Sequence, residues 1–133
     1  LMETFVRQYV LLRNTIIADE KEMQTRWFPG GMMNFLSSDY VFGQFSAYRD
    51  SIWSKIIDAE MVREVEIISI GKLGGEKSPV WKVDFKTYDL STTMRNQNTR
   101  ALILSTRYWT ASVTAYFLRF TVTRYSQTEV EIF

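Results

Sequence analysis

Apolar side chains in the first third of the chain recur every three or four residues. Phe5, Tyr9, Leu12 and Ile16 stand four, three and four apart, which puts one apolar stripe on one face of a helix. Val6, Val10 and Ile17 widen it, while Arg7, Gln8, Arg13 and Asn14 fall toward the other side. Asp19 is placed to cap a continuation carrying Met23 and Trp27. Pro29, Gly30 and Gly31 then end the helix. A short apolar turn from Met32 to Leu36 leads to Ser37, Ser38 and Asp39, N-cap residues for a third helix bearing Val41, Phe45, Tyr48 and Ile52 and closing near Asp58.

Beyond Met61 the period becomes two. Val65 and Ile67 alternate with Glu64 and Glu66, and Trp81, Val83 and Phe85 alternate with Lys82, Asp84 and Lys86. Both read as half-buried antiparallel strands joined by a Gly-rich connector over 71–79. A polar connector over 89–98 follows, and 99–125 is strand-like almost throughout, with Trp109, Ala111, Val113, Ala115 and Phe117 on one face. Helices first and a strand meander after predict an α+β domain spanning 1–133, its N-terminal helices packed on a curved four-stranded antiparallel sheet.

One break in the pattern stands near Leu118. Inward positions are odd through Phe117 and even from Phe120 and Val122 onward, and a one-residue shift turns every later side chain to the opposite face. As one strand, 109–125 would run on the order of 55 Å at about 3.3 Å per residue, too long for this chain. With no Gly, Pro, Asn or Asp between Ala111 and Tyr125 to form a tight hairpin, the pattern predicts two antiparallel strands and a flexible connector missing from the numbering near Leu118 and Arg119.

Composition narrows the chemistry. Apolar residues make up 46% of the 133, including nine Phe, seven Tyr and four Trp, enough for a filled core. Sixteen basic and 15 acidic side chains leave a net charge of +1, too small a field to point to nucleic acid or an anionic membrane as the main partner. The chain has no cysteine and no histidine. That removes thiolate nucleophiles, thiolate metal sites, the commonest general base and the commonest metal ligand. No apolar run approaches the ~20 residues of a membrane-spanning helix, and the helical pattern already running at Leu1 is expected to continue from a longer parent protein.

Three patterns invite a chemical reading. Asp19, Glu20 and Glu22 lack the turn and spacing of a calcium loop and read as a solvated helix face. The loop Gly71-Lys72-Leu73-Gly74-Gly75 lies between strands with no Gly-Lys-Ser/Thr ending, so it reads as a hairpin connector, not a phosphate cradle. A cone of helices over a sheet could hold a pocket in which Asp84 or Asp89 acts as a base beside Tyr88 or Tyr108, but Asp84 falls on the polar side of its strand between two lysines. A small-molecule enzyme of isomerase or hydrolase type, or a ligand-binding module, is the alternative to a protein that works by docking. No cofactor and no metal is expected. Interfaces favour Tyr, Trp and Arg, which marks Tyr9 and Arg13, one turn apart on the first helix, as contact candidates.

The segments 5–13 (FVRQYVLLR), 63–71 (REVEIISIG), 80–88 (VWKVDFKTY), 108–117 (YWTASVTAYF) and 120–125 (FTVTRY) follow one another in an order and spacing that resembles a known family. It is similar to the periplasmic domain of the VirB eight-type inner-membrane component of bacterial type IV secretion systems, over nearly the whole chain. The resemblance implies a nuclear-transport-factor-two-like fold, a membrane helix outside this chain, weak homodimers and contacts with other secretion-channel subunits, with no catalytic role. On the matching positions, Tyr9, Val10 and Arg13 fall on the Tyr-Val-x-x-Arg element of the first helix, and Phe120, Val122 and Tyr125 on the last strand. The family's Asn-Pro-x-Gly turn before that strand is replaced by Tyr116-Phe117-Leu118-Arg119; either this member diverges or the turn lies in the missing connector.

Overall fold

The computed structural model describes residues 1–91 and 102–131. Four helices, α1 (Met2–Asn14), α2 (Glu20–Trp27), the short α3 (Met32–Leu36) and α4 (Asp39–Asp58), precede four strands, β1 (Met61–Lys72), β2 (Val80–Ser91), β3 (Leu102–Tyr116) and β4 (Thr121–Val130). The strands form one antiparallel sheet in the order β1-β2-β3-β4, with the helices on one face. This is the α+β architecture that the change of period predicts.

Local signals set the helix ends. Asp19 accepts from the Glu22 amide at 3.0 Å and Ser38 from the Val41 amide at 3.3 Å, each satisfying a donor that the first turn leaves free. Ile16 and Ile17 do not continue α1 as their spacing predicts. The helix stops at Asn14, and Ile16 pairs its backbone with Arg63 on β1 through bonds of 3.0 and 2.9 Å. That exchange ties the helical layer to the edge of the sheet.

The core lies between α1, α4 and the concave face of the sheet. Val6, Tyr9, Val10, Met23, Trp27, Val41 and Phe45 meet Trp81, Val83, Phe85, Ala111, Val113 and Val122, all buried. Trp27 and Phe45 pack edge to face at 5.1 Å. Arg49, one turn beyond Phe45, is also buried; it donates to the Trp27 carbonyl at 2.9 Å and lies 4.4 Å from the Phe28 ring centre.

Near Leu118 the chain is two antiparallel strands, and it turns back within residues 117–120. The expected flexible connector is replaced by this tight turn, which places Arg119 at φ 64° and Phe120 at φ 44°. Left-handed backbone costs L residues about 1–2 kcal/mol each. Phe117 and Phe120 are corrected accordingly. Both belong to the turn and are exposed instead of lying on an inward strand face. A register shift opposite Thr114 and Ala115 leaves Thr123 without a partner, so Val122 and then Tyr125 both point inward. The even-numbered inward series therefore stops at Val122. The hairpin connector is shorter than expected: it runs over 73–79, with Gly74 at φ 85°, because Gly71 and Lys72 still belong to β1 and pair with Lys82 and Trp81.

Candidate functional site

Tyr9, Arg13, Phe120, Val122 and Tyr125 come together along a seam between α1 and β4. The Tyr9 and Tyr125 rings lie 5.9 Å apart, and Phe5 bridges Tyr9 at 6.2 Å to Phe120 at 5.5 Å. Tyr9 and Val122 have no exposed surface, so they hold the seam from within and present nothing to a partner. The Tyr9 hydroxyl shares a 2.6 Å hydrogen bond with Ser37 Oγ, and burial pushes its pKa up to about 12 against the opposing pull of Ser37 and Arg13. Burial likewise raises Tyr125, with the Arg13 charge opposing it.

Arg13 is the hinge between this seam and a cleft at the wide end of the cone. Its guanidinium lies 4.3 Å from the Tyr125 ring centre, 5.4 Å from Tyr48 and 5.6 Å from Phe45. It donates to Gln127 Oε1 at 3.2 Å, an atom that also accepts from the Tyr125 hydroxyl at 2.7 Å. Across the cleft, Arg63 grips both oxygens of Asp89 at 2.6 and 3.1 Å and donates to the Tyr48 hydroxyl at 2.7 Å. Burial draws the Arg63 pKa down, but the Asp89 bond and the Tyr48 oxygen outweigh it and the net shift is upward. The cleft encloses about 400 Å³.

Arg63 and Tyr48 were not among the residues expected to form a site, and Asp89 was expected there as a base, not as the partner of an arginine. A signal existed: Arg63 shares its strand face with Val65 and Ile67, and Asp89 shares one with Phe85 and Thr87, so both are polar residues at inward positions. Reading 89–98 as a connector hid it, since β2 runs on to Ser91.

Neither candidate acid is placed to act as a base. Asp84 sits on the opposite, outer face of the sheet, where a 2.7 Å bond from Thr110 Oγ1, helped by Ser69 and Lys82, holds its carboxyl below the usual value despite partial burial. Asp89 has both oxygens committed to Arg63. Tyr88 donates to Glu66 at 3.0 Å, and Lys86 lies about 5 Å from the ring centres of Tyr88 and Tyr108, all on that outer face. Asp19 is a helix cap and Glu22 pairs with Arg26 at 3.2 Å. Among the described residues no group of three or more acidic, histidine or cysteine side chains converges on a metal site, and no helix is long and apolar enough to cross a membrane.

No protein-family model matches the chain, and no curated protein does. Solved structures do. A TraE protein in complex with 2-(2-furyl)isonicotinic acid superposes with a TM-score of 0.70 at 16% identity, covering 96% of this chain and 93% of that one. The VirB8 protein of Agrobacterium tumefaciens gives 0.69 at 16% identity over 97% and 90%. CagV of Helicobacter pylori, a VirB8 homolog of a type IV secretion system, gives 0.58 at 14% identity over 93% and 93%. At such identities the likeness is one of fold, and the fold that this chain adopts, from α1 to β4, is that of VirB8.

Proposed function

We propose that this chain is a non-catalytic assembly subunit of a type IV secretion system, working in the periplasm through contacts with a second copy and with other channel subunits. The observation that carries the reading is the shared fold with VirB8 and CagV over more than nine-tenths of this chain. Packing supports it: the cone is filled by Trp27, Phe45, Phe85 and Tyr9 where an enzyme of this shape needs a chamber, and its two candidate acids are tied to partners.

The mechanism is anchored geometry. A membrane helix elsewhere in the parent protein holds the domains at high local concentration, so contacts that are weak in solution still build a complex. Replacing the parent gene by a form lacking residues 1–133 abolishes substrate transfer in the source bacterium, and the intact gene in trans restores it; undiminished transfer by the truncated form overturns the proposal. Sedimentation of the isolated chain gives a monomer–dimer equilibrium between about 10 µM and about 1 mM. A strict monomer across that range removes self-association from the mechanism.

A further inference from the structure

The end of the sheet opposite the Arg13 cleft carries a run of exposed apolar side chains. The turn that joins β3 to β4 leaves Tyr116 48%, Phe117 60% and Leu118 81% exposed, with Phe120 also outside the core. Its own contacts fix its shape. The Phe120 amide donates to the Phe117 carbonyl at 3.1 Å, and the Thr121 hydroxyl donates to the Arg119 carbonyl at 3.3 Å. The Phe120 ring lies 6.1 Å from Phe117 and 5.5 Å from Phe5, and left-handed backbone at Arg119 and Phe120 completes the reversal. The turn therefore holds Phe117 and Leu118 outward and keeps them from folding back on the core.

Charge around the turn is sparse, and on the turn itself it has one sign. Between Asp89 and Glu129 the sequence contains no acidic residue. Arg119 makes no ion pair among the described residues. Behind the turn, a groove of about 550 Å³ is lined by Tyr116 and Phe117 with Lys72, Lys77, Glu3 and Glu76, two cations against two acids. A chain with a net charge of +1 is not drawn to a membrane from a distance, but burial of apolar surface acts at contact. We propose that the β3–β4 turn is a membrane-contacting tip. It inserts Phe117 and Leu118 into the surface of a lipid bilayer, with Tyr116 and Arg119 among the headgroups.

The kinds of side chain on the turn fit a bilayer surface. Interfacial segments bury their aliphatic and aromatic groups about 5–10 Å into the boundary of headgroups and acyl chains. A Tyr ring sits at the headgroup level, where its body is shielded and its hydroxyl stays wet. An Arg lays its stem along the apolar layer and keeps its guanidinium among the phosphates. A protein socket of the same shape must supply oxygens placed for Arg119, whereas every phospholipid brings a phosphate. Leu1 lines the same groove as Phe117, so a chain held at a surface by that end presents the turn to it. The inference goes beyond the assembly role, because the isolated chain inserts or fails to insert whatever subunits it meets.

The chain has no cysteine, so a single introduced thiol carries a unique fluorescent label. Leu118→Cys at the turn and Thr106→Cys, exposed toward the other end of β3, are each labelled with bimane. An N-terminal histidine tag holds the chain on phosphatidylcholine vesicles containing a little nickel-chelating lipid, with acyl chains either brominated or plain. Bromine in the acyl chains lowers emission from position 118 at least about twofold and leaves position 106 unchanged. Phe117→Ser, at an exposed position outside the core, removes at least about half of that quenching while the tether stays the same. Exchanging part of the lipid for phosphatidylglycerol alters the quenching by less than about twofold, because the charges behind the turn balance. Absence of quenching at 118, equal quenching at 106, quenching unchanged by Phe117→Ser, or quenching seen only with the anionic lipid overturns the proposal.

Discussion

The two ends of the cone solve the same problem differently. At the narrow end the sheet meets α1 through Val6, Val10, Val83, Val113 and Val122, side chains without polar atoms, and stability there follows from area removed from water. At the wide end Arg63, Asp89, Tyr48 and Arg13 occupy the corresponding inward positions, and each polar atom depends on a named partner. An apolar contact degrades gradually when trimmed; a paired charge fails when its partner leaves. The wide end therefore contributes to stability only while its pairs stay intact.

The largest effect expected is at the apolar end. Phe45→Ala empties a site with no exposed neighbour to collapse into it and should cost about 3–5 kcal/mol in denaturant unfolding; a cost below about 1 kcal/mol would mean the cone is loosely filled. Next comes the mouth, where Asp89→Asn leaves the buried Arg63 without its countercharge and should cost about 3 kcal/mol, whereas Arg63→Met with Asp89→Leu should recover most of that loss. If the double variant is as unstable as the single one, the pair is not the unit that the geometry describes.

The smallest effect is the pH dependence of the seam between the two ends. Tyr9 is fully buried and its pKa rises from 10.0 to about 12, so the stability tied to its neutral hydroxyl is complete below pH 10 and is lost as pH climbs toward 12. That loss is about 2–3 kcal/mol across the window. Tyr9→Phe should flatten the part of the unfolding-versus-pH curve above pH 10, at the cost of about 1–2 kcal/mol at neutral pH from the unpaired Ser37 hydroxyl. An unchanged slope above pH 10 would assign the alkaline loss to other groups.

Much of this was legible in the residues. The helical stripe through Phe5, Tyr9 and Leu12, the caps at Asp19 and Ser38, and the alternation at Trp81, Val83 and Phe85 each announce their element, because each depends on neighbours a few residues away. The five residues expected to contact partners share one seam inside the chain, and their positions divide. Arg13 reaches the cleft and Phe120 the surface, while Tyr9 and Val122 are enclosed.

The chain's lack of histidine and cysteine already removed whole classes of chemistry before any coordinate was needed. Periodicity fixed which faces are apolar, since side-chain direction follows from backbone geometry alone. Only the tertiary structure decided that Ile16 leaves its helix to pair with Arg63, that residues 117–120 close a turn without glycine, and that Arg63 finds Asp89 on the neighbouring strand. Those three outcomes are contacts between segments far apart in the chain, and a pattern confined to adjacent residues carries no term for the partner that makes an unfavourable local choice the favourable one.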